Sequence, residues 1–300
     1  MYHLRIADNE SFVPNPSKRK NLISFRWLSI AAIVFLVVSC ATPSERFDEQ
    51  ALHFKFRREV VKGVQYDHVT YRNSAMDNAA VGDLLHVYLD GDGLPWLRRT
   101  VVAADPTPRH ALMLELMVLD KAPSLYLGRP CYHGFAQAPR CSAELWTNRR
   151  YSPEVVESMA GALATIVART HYAGLVFIGY SGGGTLAMLL AERFRQTKAV
   201  LTIVANLDPL AWTSHHGYSP LQGSLNPANR PPLPSQIKQL HFIGGQDDNI
   251  PGGLILPVIK SQPGATFFVF DTFDHSCCWR AAWPAMLVQL CRLIGEQECD

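Results

Sequence analysis

Between residues 175 and 194 the chain reads LVFIGYSGGGTLAMLLAERF, and a serine stands among glycines where the hydrophobic period changes. Leu175, Val176, Phe177 and Ile178 make a short apolar run of β-branched and aromatic types, the pattern of a buried strand. Leu186, Leu189, Leu190 and Phe194 recur three and four residues apart, the pattern of a helix. Ser181 lies at the joint, between Gly179 and the run Gly182, Gly183, Gly184. Gly179-Tyr180-Ser181-Gly182-Gly183 is G-x-S-x-G, a strand-to-helix turn that presents a serine hydroxyl as a nucleophile. A glycine-rich turn at a helix start also suits phosphate. The strand before and the helix after favour the nucleophile. A serine hydroxyl still needs a base to take its proton and an acid to orient that base.

The elements that must hold these groups can be read along the chain. "EVVKGVQYDHVTYRN" contains two alternating stretches, expected as opening antiparallel strands. "LLHVYLDGDGLPW" is an apolar strand stopped by a glycine-aspartate turn. "RHALMLELMVLD" reads as a helix and "SLYLGRP" as a short strand. "SPEVVESMAGALATIVART" opens a helix, with Ser152 as N-cap, Pro153 at its first turn and Glu154 just inside. "AVLTIVANLD", "IKQLHFIGGQDD" and "ATFFVFDTFDHS" are expected as three more buried strands, and "WRAAWPAMLVQLCRLIGE" as the closing helix. Strand and helix alternate, so the expected architecture is α/β, a mostly parallel sheet with helices on both faces and its site at the strands' carboxyl ends. Residues 212–235 are rich in proline and glycine and are expected to be irregular, a wall of the substrate pocket. No large lid domain is expected.

With Ser181 on such a turn, the chain over residues 59–300 resembles the α/β-hydrolase superfamily, the serine hydrolases. The resemblance implies a Ser, Asp or Glu, His order. It implies Asp247 as the acid, because Gly244, Asp247, Ile250 and Pro251 in "HFIGGQDDNIP" match G-x-x-D-x-x-hydrophobic-P. Asp248 and Asp208, the latter in "ANLDP", remain alternatives. It implies His275 in "FDTFDHSCCW" as the base, between the last strand and the last helix. His215 and His216 are expected to be solvated or to line the pocket. Two backbone donors would face the developing oxyanion. One is the N–H of Gly182; the other, in "YLDGDGLPW", is the N–H of Asp92, with Gly93 also within reach. No cofactor or metal is implied. Trp96, Trp146, Trp212, Tyr180 and Phe135 are candidates for an apolar acyl pocket.

Composition bounds the partners. Among 300 residues 48% are hydrophobic and 18% charged, with a net charge of +2. That is a chain with a sizeable core and no basic stripe for nucleic acid. The first forty residues stand apart. Lys18, Arg19, Lys20 and Arg26 precede the apolar run of residues 27–38, which is shorter than a membrane span. The run leads into Val37-Val38-Ser39-Cys40, which resembles the lipobox of bacterial lipoproteins, with Cys40 the lipidated first residue of the mature chain. The expected organisation is a signal peptide over residues 1–40, a tether over 41–58 and a catalytic domain over 59–300. The expected place is the bacterial cell envelope, lipid-anchored and facing the periplasm or exterior. By the same resemblance, Ala41 after the cysteine leans toward the outer membrane.

Seven cysteines less Cys40 leave six, an even number that suits disulfides in an oxidising compartment. "CYHGFAQAPRC" closes a short loop, so Cys131 and Cys141 are the expected pair. Cys277, Cys278, Cys291 and Cys299 allow three connectivities. The expected activity is an exported serine hydrolase cleaving a small-molecule or lipid ester. The alternatives are an acyltransferase, thioesterase or peptidase using the same three residues, or a non-catalytic envelope binding lipoprotein on the same scaffold.

Overall fold

The computed structural model describes residues 41–98 and 100–295. In chain order its elements are α1 (Pro43–His53), β1 (Arg57–Lys62), β2 (Asp67–Arg72), α2 (Ser74–Asp77), β3 (Leu84–Leu89), β4 (Trp96–Leu97), β5 (Val101–Val102), α3 (Leu112–Met117) and β6 (Ser124–Leu127). There follow α4 (Pro153–Val167), β7 (Gly174–Tyr180), α5 (Gly182–Ala191), β8 (Thr197–Ile203), α6 (Pro209–His216), β9 (Lys238–Gly244), α7 (Gly252–Ser261), β10 (Ala265–Phe270) and α8 (Trp279–Ile294).

One eight-stranded sheet runs β1-β2-β6-β3-β7-β8-β9-β10. β1 and β2 pair antiparallel, as the alternating opening stretches predict, and β2 pairs antiparallel with β6. From β6 to β10 every pair is parallel. Successive side chains of a strand point to opposite faces, and β7 divides accordingly. Leu175 and Phe177 enter a core with α4, α5 and α7. Val176 and Ile178 enter a second core with α1, α3 and α8. Burial on both faces is why β7 reads as a continuous apolar run. α4 starts as its sequence predicts, with the Ser152 hydroxyl accepting the Val155 N–H at 3.3 Å and Pro153 at the first turn.

Three expectations are corrected. Residues 41–58 are not a tether. They carry α1, closed by a capping box between Thr42 and Glu45, and the first residues of β1. Phe47 and Ala51 of α1 are buried, and Phe47 packs against Tyr71, Tyr126 and His133. The Ser44 hydroxyl also donates to Asp105 Oδ2 at 2.7 Å. Residues 212–235 are not wholly irregular, since α6 continues to His216 and a 3-10 turn forms at Pro227–Asn229. β10 is not a buried strand. It is the sheet edge, and Phe267, Phe268 and Val269 are 39%, 40% and 48% exposed. α7 has no counterpart among the expected elements, because glycines at its first two positions and Pro257 inside it mask its period. Residues 1–40, expected as a signal peptide ending at Cys40, lie outside the described residues. Among the described residues no helix is long and apolar enough to cross a membrane.

Candidate active site

The turn after β7 is built for close approach. Ser181 adopts φ 51° and ψ −123°, a left-handed backbone that a non-glycine residue takes only where its surroundings impose it. The surroundings do so through β8, because Ser181 N–H donates to Ile203 O at 3.0 Å and Asn206 N–H donates to Ser181 O at 3.1 Å. Behind it the start of α5 presses on the end of β3. A Cβ on Gly183 would lie 2.0 Å from Leu89 O, which only glycine avoids.

Three side chains from three loops meet there. His275 Nε2 lies 3.1 Å from Ser181 Oγ, and His275 Nδ1 lies 2.8 Å from Asp247 Oδ2. The Asp247 side chain is fully buried and its other oxygen accepts the N–H groups of Asn249 at 2.9 Å and Ile250 at 2.8 Å. The acid therefore faces His275 with a fixed oxygen. A carboxylate on Nδ1 sets the proton there and leaves Nε2 as acceptor for the serine hydroxyl. The His275 loop is held in turn. Tyr180 OH donates to His275 O at 3.0 Å and its ring packs on the imidazole. The Asp274 carboxylate accepts the N–H groups of Cys277 and Ser276, bonds that hold it below the usual carboxylate range.

The competing acids are elsewhere. Asp208 N-caps α6 through Ala211 N–H and accepts the Asn226 amide at 2.7 Å. Asp248 is exposed and makes no hydrogen bond to His275. His215 is exposed, whereas His216 donates from Nε2 to Asn249 O at 2.8 Å and Trp212 Nε1 donates to the same oxygen at 2.9 Å. α6 thus grips the loop that carries Asp247. Of the candidate pocket aromatics, Tyr180 touches the site, Trp146 is buried in the core and Trp96 is exposed on β4. Phe135 packs against the core that holds α1, α3 and α8.

A network missed in the sequence surrounds Asp92. Its carboxylate takes Arg150 Nη1 at 2.7 Å, Arg129 Nη2 at 2.9 Å and the Tyr151 hydroxyl at 2.7 Å, while Tyr132 OH donates to its backbone oxygen. Burial alone would raise the Asp92 pKa; the two guanidiniums and the Tyr151 hydroxyl outweigh it and hold the carboxyl below its ordinary value. The residues are dispersed between β3 and α4, so spacing gives no sign of their meeting. Among the described residues the Asp92 N–H donates to no protein acceptor, whereas the Gly91 N–H is taken by Asp90 Oδ1 at 2.8 Å. Gly182 stands at the first position of α5, where an N–H has no intrahelical partner.

Cys131 and Cys141 form the expected disulfide, with Cα atoms 5.6 Å apart. Cys277 and Cys278 are bonded to each other, and Cys291 is also disulfide-bonded. Cys299 lies outside the described residues. No group of three or more His, Cys, Asp or Glu among the described residues is placed to hold a metal ion.

Solved structures share this architecture. An esterase of Pyrococcus furiosus superposes with a TM-score of 0.58 at 11% identity, over 86% of this chain and 96% of that one. The chain has the α/β-hydrolase fold. An acylaminoacyl peptidase of Pyrococcus horikoshii matches with a TM-score of 0.57 at 12% identity, over 83% of this chain but 44% of its own. A candidate α/β hydrolase of Agrobacterium tumefaciens gives 0.52 at 13%, over 80% and 98%. Neither a protein-family model nor a curated protein sequence matches the chain. Within this α/β-hydrolase fold the Ser181 turn follows the fifth strand in sheet order, β7, and the Asp247 loop follows β9.

Proposed function

We propose that the protein is a serine hydrolase that cleaves a carboxylic ester through an acyl-enzyme. The observation that carries this reading is the chain of contacts Ser181–His275–Asp247, at 3.1 and 2.8 Å. Ser181 Oγ attacks the acyl carbon and His275 Nε2 takes its proton. Asp247 orients the imidazole and stabilises its charged form. The N–H groups of Gly182 and Asp92 receive the oxyanion, each worth about 3 kcal/mol in such sites. His275 returns the proton to the leaving alcohol, and water then repeats the sequence to free Ser181. The same residues would serve an amide, a thioester or transfer to another alcohol.

Export and a lipid on Cys40 belong to the same proposal. The basic and apolar segments before Val37-Val38-Ser39-Cys40 support it, as does a Cys131–Cys141 disulfide suited to an oxidising compartment. The test of the reaction is turnover of activated esters by wild type and by Ser181→Ala. Loss of turnover in a variant that still unfolds cooperatively supports the reading, and undiminished turnover sinks it. A panel of ester, thioester and amide substrates then fixes the bond cleaved.

A further inference from the structure

We propose that the side-chain amide of Asn249 is a second hydrogen-bond partner of the base nitrogen, His275 Nε2, and sets how readily that nitrogen takes a proton. The inference rests on the catalytic reading above and deepens it. Asn249 Nδ2 lies 3.1 Å from His275 Nε2, the same distance as Ser181 Oγ. The amide's orientation follows from the network. His275 Nδ1 carries its proton toward Asp247, so Nε2 has a lone pair and no hydrogen, and the amide must offer N–H rather than C=O.

One lone pair then faces two donors. While the amide donates to it, the neutral imidazole is favoured over the imidazolium. When Ser181 gives up its proton, Nε2 becomes a donor and the amide N–H must leave it. Asn249 is thus a positioning residue that acts through the base.

The backbone of Asn249 is held on both sides, independently of its side chain. Its N–H donates to Asp247 Oδ1 at 2.9 Å, and its oxygen accepts Trp212 Nε1 and His216 Nε2. These contacts use only the backbone atoms of Asn249. Other charged and titratable groups lie around His275. They are Asp247 on Nδ1, Asp274 before it in the chain, Tyr180 against its ring, and Asp248 and His216 beside Asn249.

The test is an NMR titration of the His275 imidazole in wild type, Asn249→Leu and Asn249→Asp, beside the rate of fluorophosphonate labelling across the same pH range. Leu removes the donor at similar size, and the His275 midpoint is expected to rise by about half a pH unit, a roughly threefold gain in proton affinity. Asp places an acceptor there and is expected to raise it further. The acid limb of labelling should move with the midpoint. An unmoved midpoint in Asn249→Leu overturns the proposal, as does labelling that falls equally at every pH. If wild type fails to label, the catalytic reading falls, while the titration still decides whether Asn249 tunes His275.

Discussion

The carboxylate of Asp92 stands directly over the α-carbon of Gly182. A methyl group on Gly182 would lie 2.0 Å from Asp92 Oδ1 and 2.4 Å from the Tyr151 hydroxyl. The two residues assigned as oxyanion donors are thereby pressed together, and Arg129, Arg150 and Tyr151 prevent the Asp92 side chain from yielding. Gly182→Ala is expected to displace the Asp92 loop. Losing a well-aimed donor lowers kcat by about 10²-fold or more, with a smaller change in KM. Steady-state kinetics on an activated ester would check this; an unchanged kcat would mean that the loop is not the oxyanion site.

Removing the Asp92 carboxylate strands two buried guanidiniums. Asp92→Ala is expected to destabilise the fold by about 3–5 kcal/mol, the range for a buried ion pair broken on one side. Equilibrium urea unfolding measures it. A loss below 1 kcal/mol would show that Arg129 and Arg150 find other partners.

Asp90 gives the stability a pH dependence. Burial pushes its carboxyl up to about 7, against the smaller opposing effects of the Gly91 N–H and the Arg129 charge. Its folded pKa is therefore above its unfolded one. The stability it contributes is fully present below pH 4 and is lost as pH rises toward 7. Asp90→Asn removes the titration. The variant should gain stability relative to wild type at pH 8 compared with pH 4.5, by a few kcal/mol at most. Urea midpoints at the two pH values that shift in parallel would contradict this.

α1 reads as a tether in sequence because its apolar residues are few among charged ones. Phe47 carries most of its burial, at 2% exposure. Phe47→Ala should cost about 3–5 kcal/mol. A chain starting at residue 59 should fold poorly, whereas one starting at Thr42 should fold. Thermal melts of both truncations decide where the domain begins.

The proposed lipid on Cys40 has a test of its own. On that proposal, Cys40→Ser is expected to move the protein from the membrane fraction to the soluble envelope fraction without loss of the proposed ester turnover. Retention in the membrane would argue for a spanning segment or another attachment.

Much of this was legible in the sequence for physical reasons. β7 and β8 are buried on both faces and so are written in apolar residues, and the Ser181 turn needs glycines that the eye can find. The α/β-hydrolase resemblance implies Asp247 and His275, and the structure brings both to Ser181. α7 was illegible because glycine and proline disguise a helix that tertiary packing of Ile255, Val258 and Ile259 holds. The exposure of β10 was illegible because edge and centre strands share composition, and only topology separates them. The Asp92 network was illegible because its partners lie 37 to 59 positions away along the chain.

The most direct measurement is fluorophosphonate labelling of the folded, oxidised domain beside Ser181→Ala and His275→Ala. The account predicts labelling of wild type, none of Ser181→Ala, and labelling of His275→Ala slowed by at least 10³-fold. Absence of labelling in folded wild type, or equal labelling of Ser181→Ala, would contradict it.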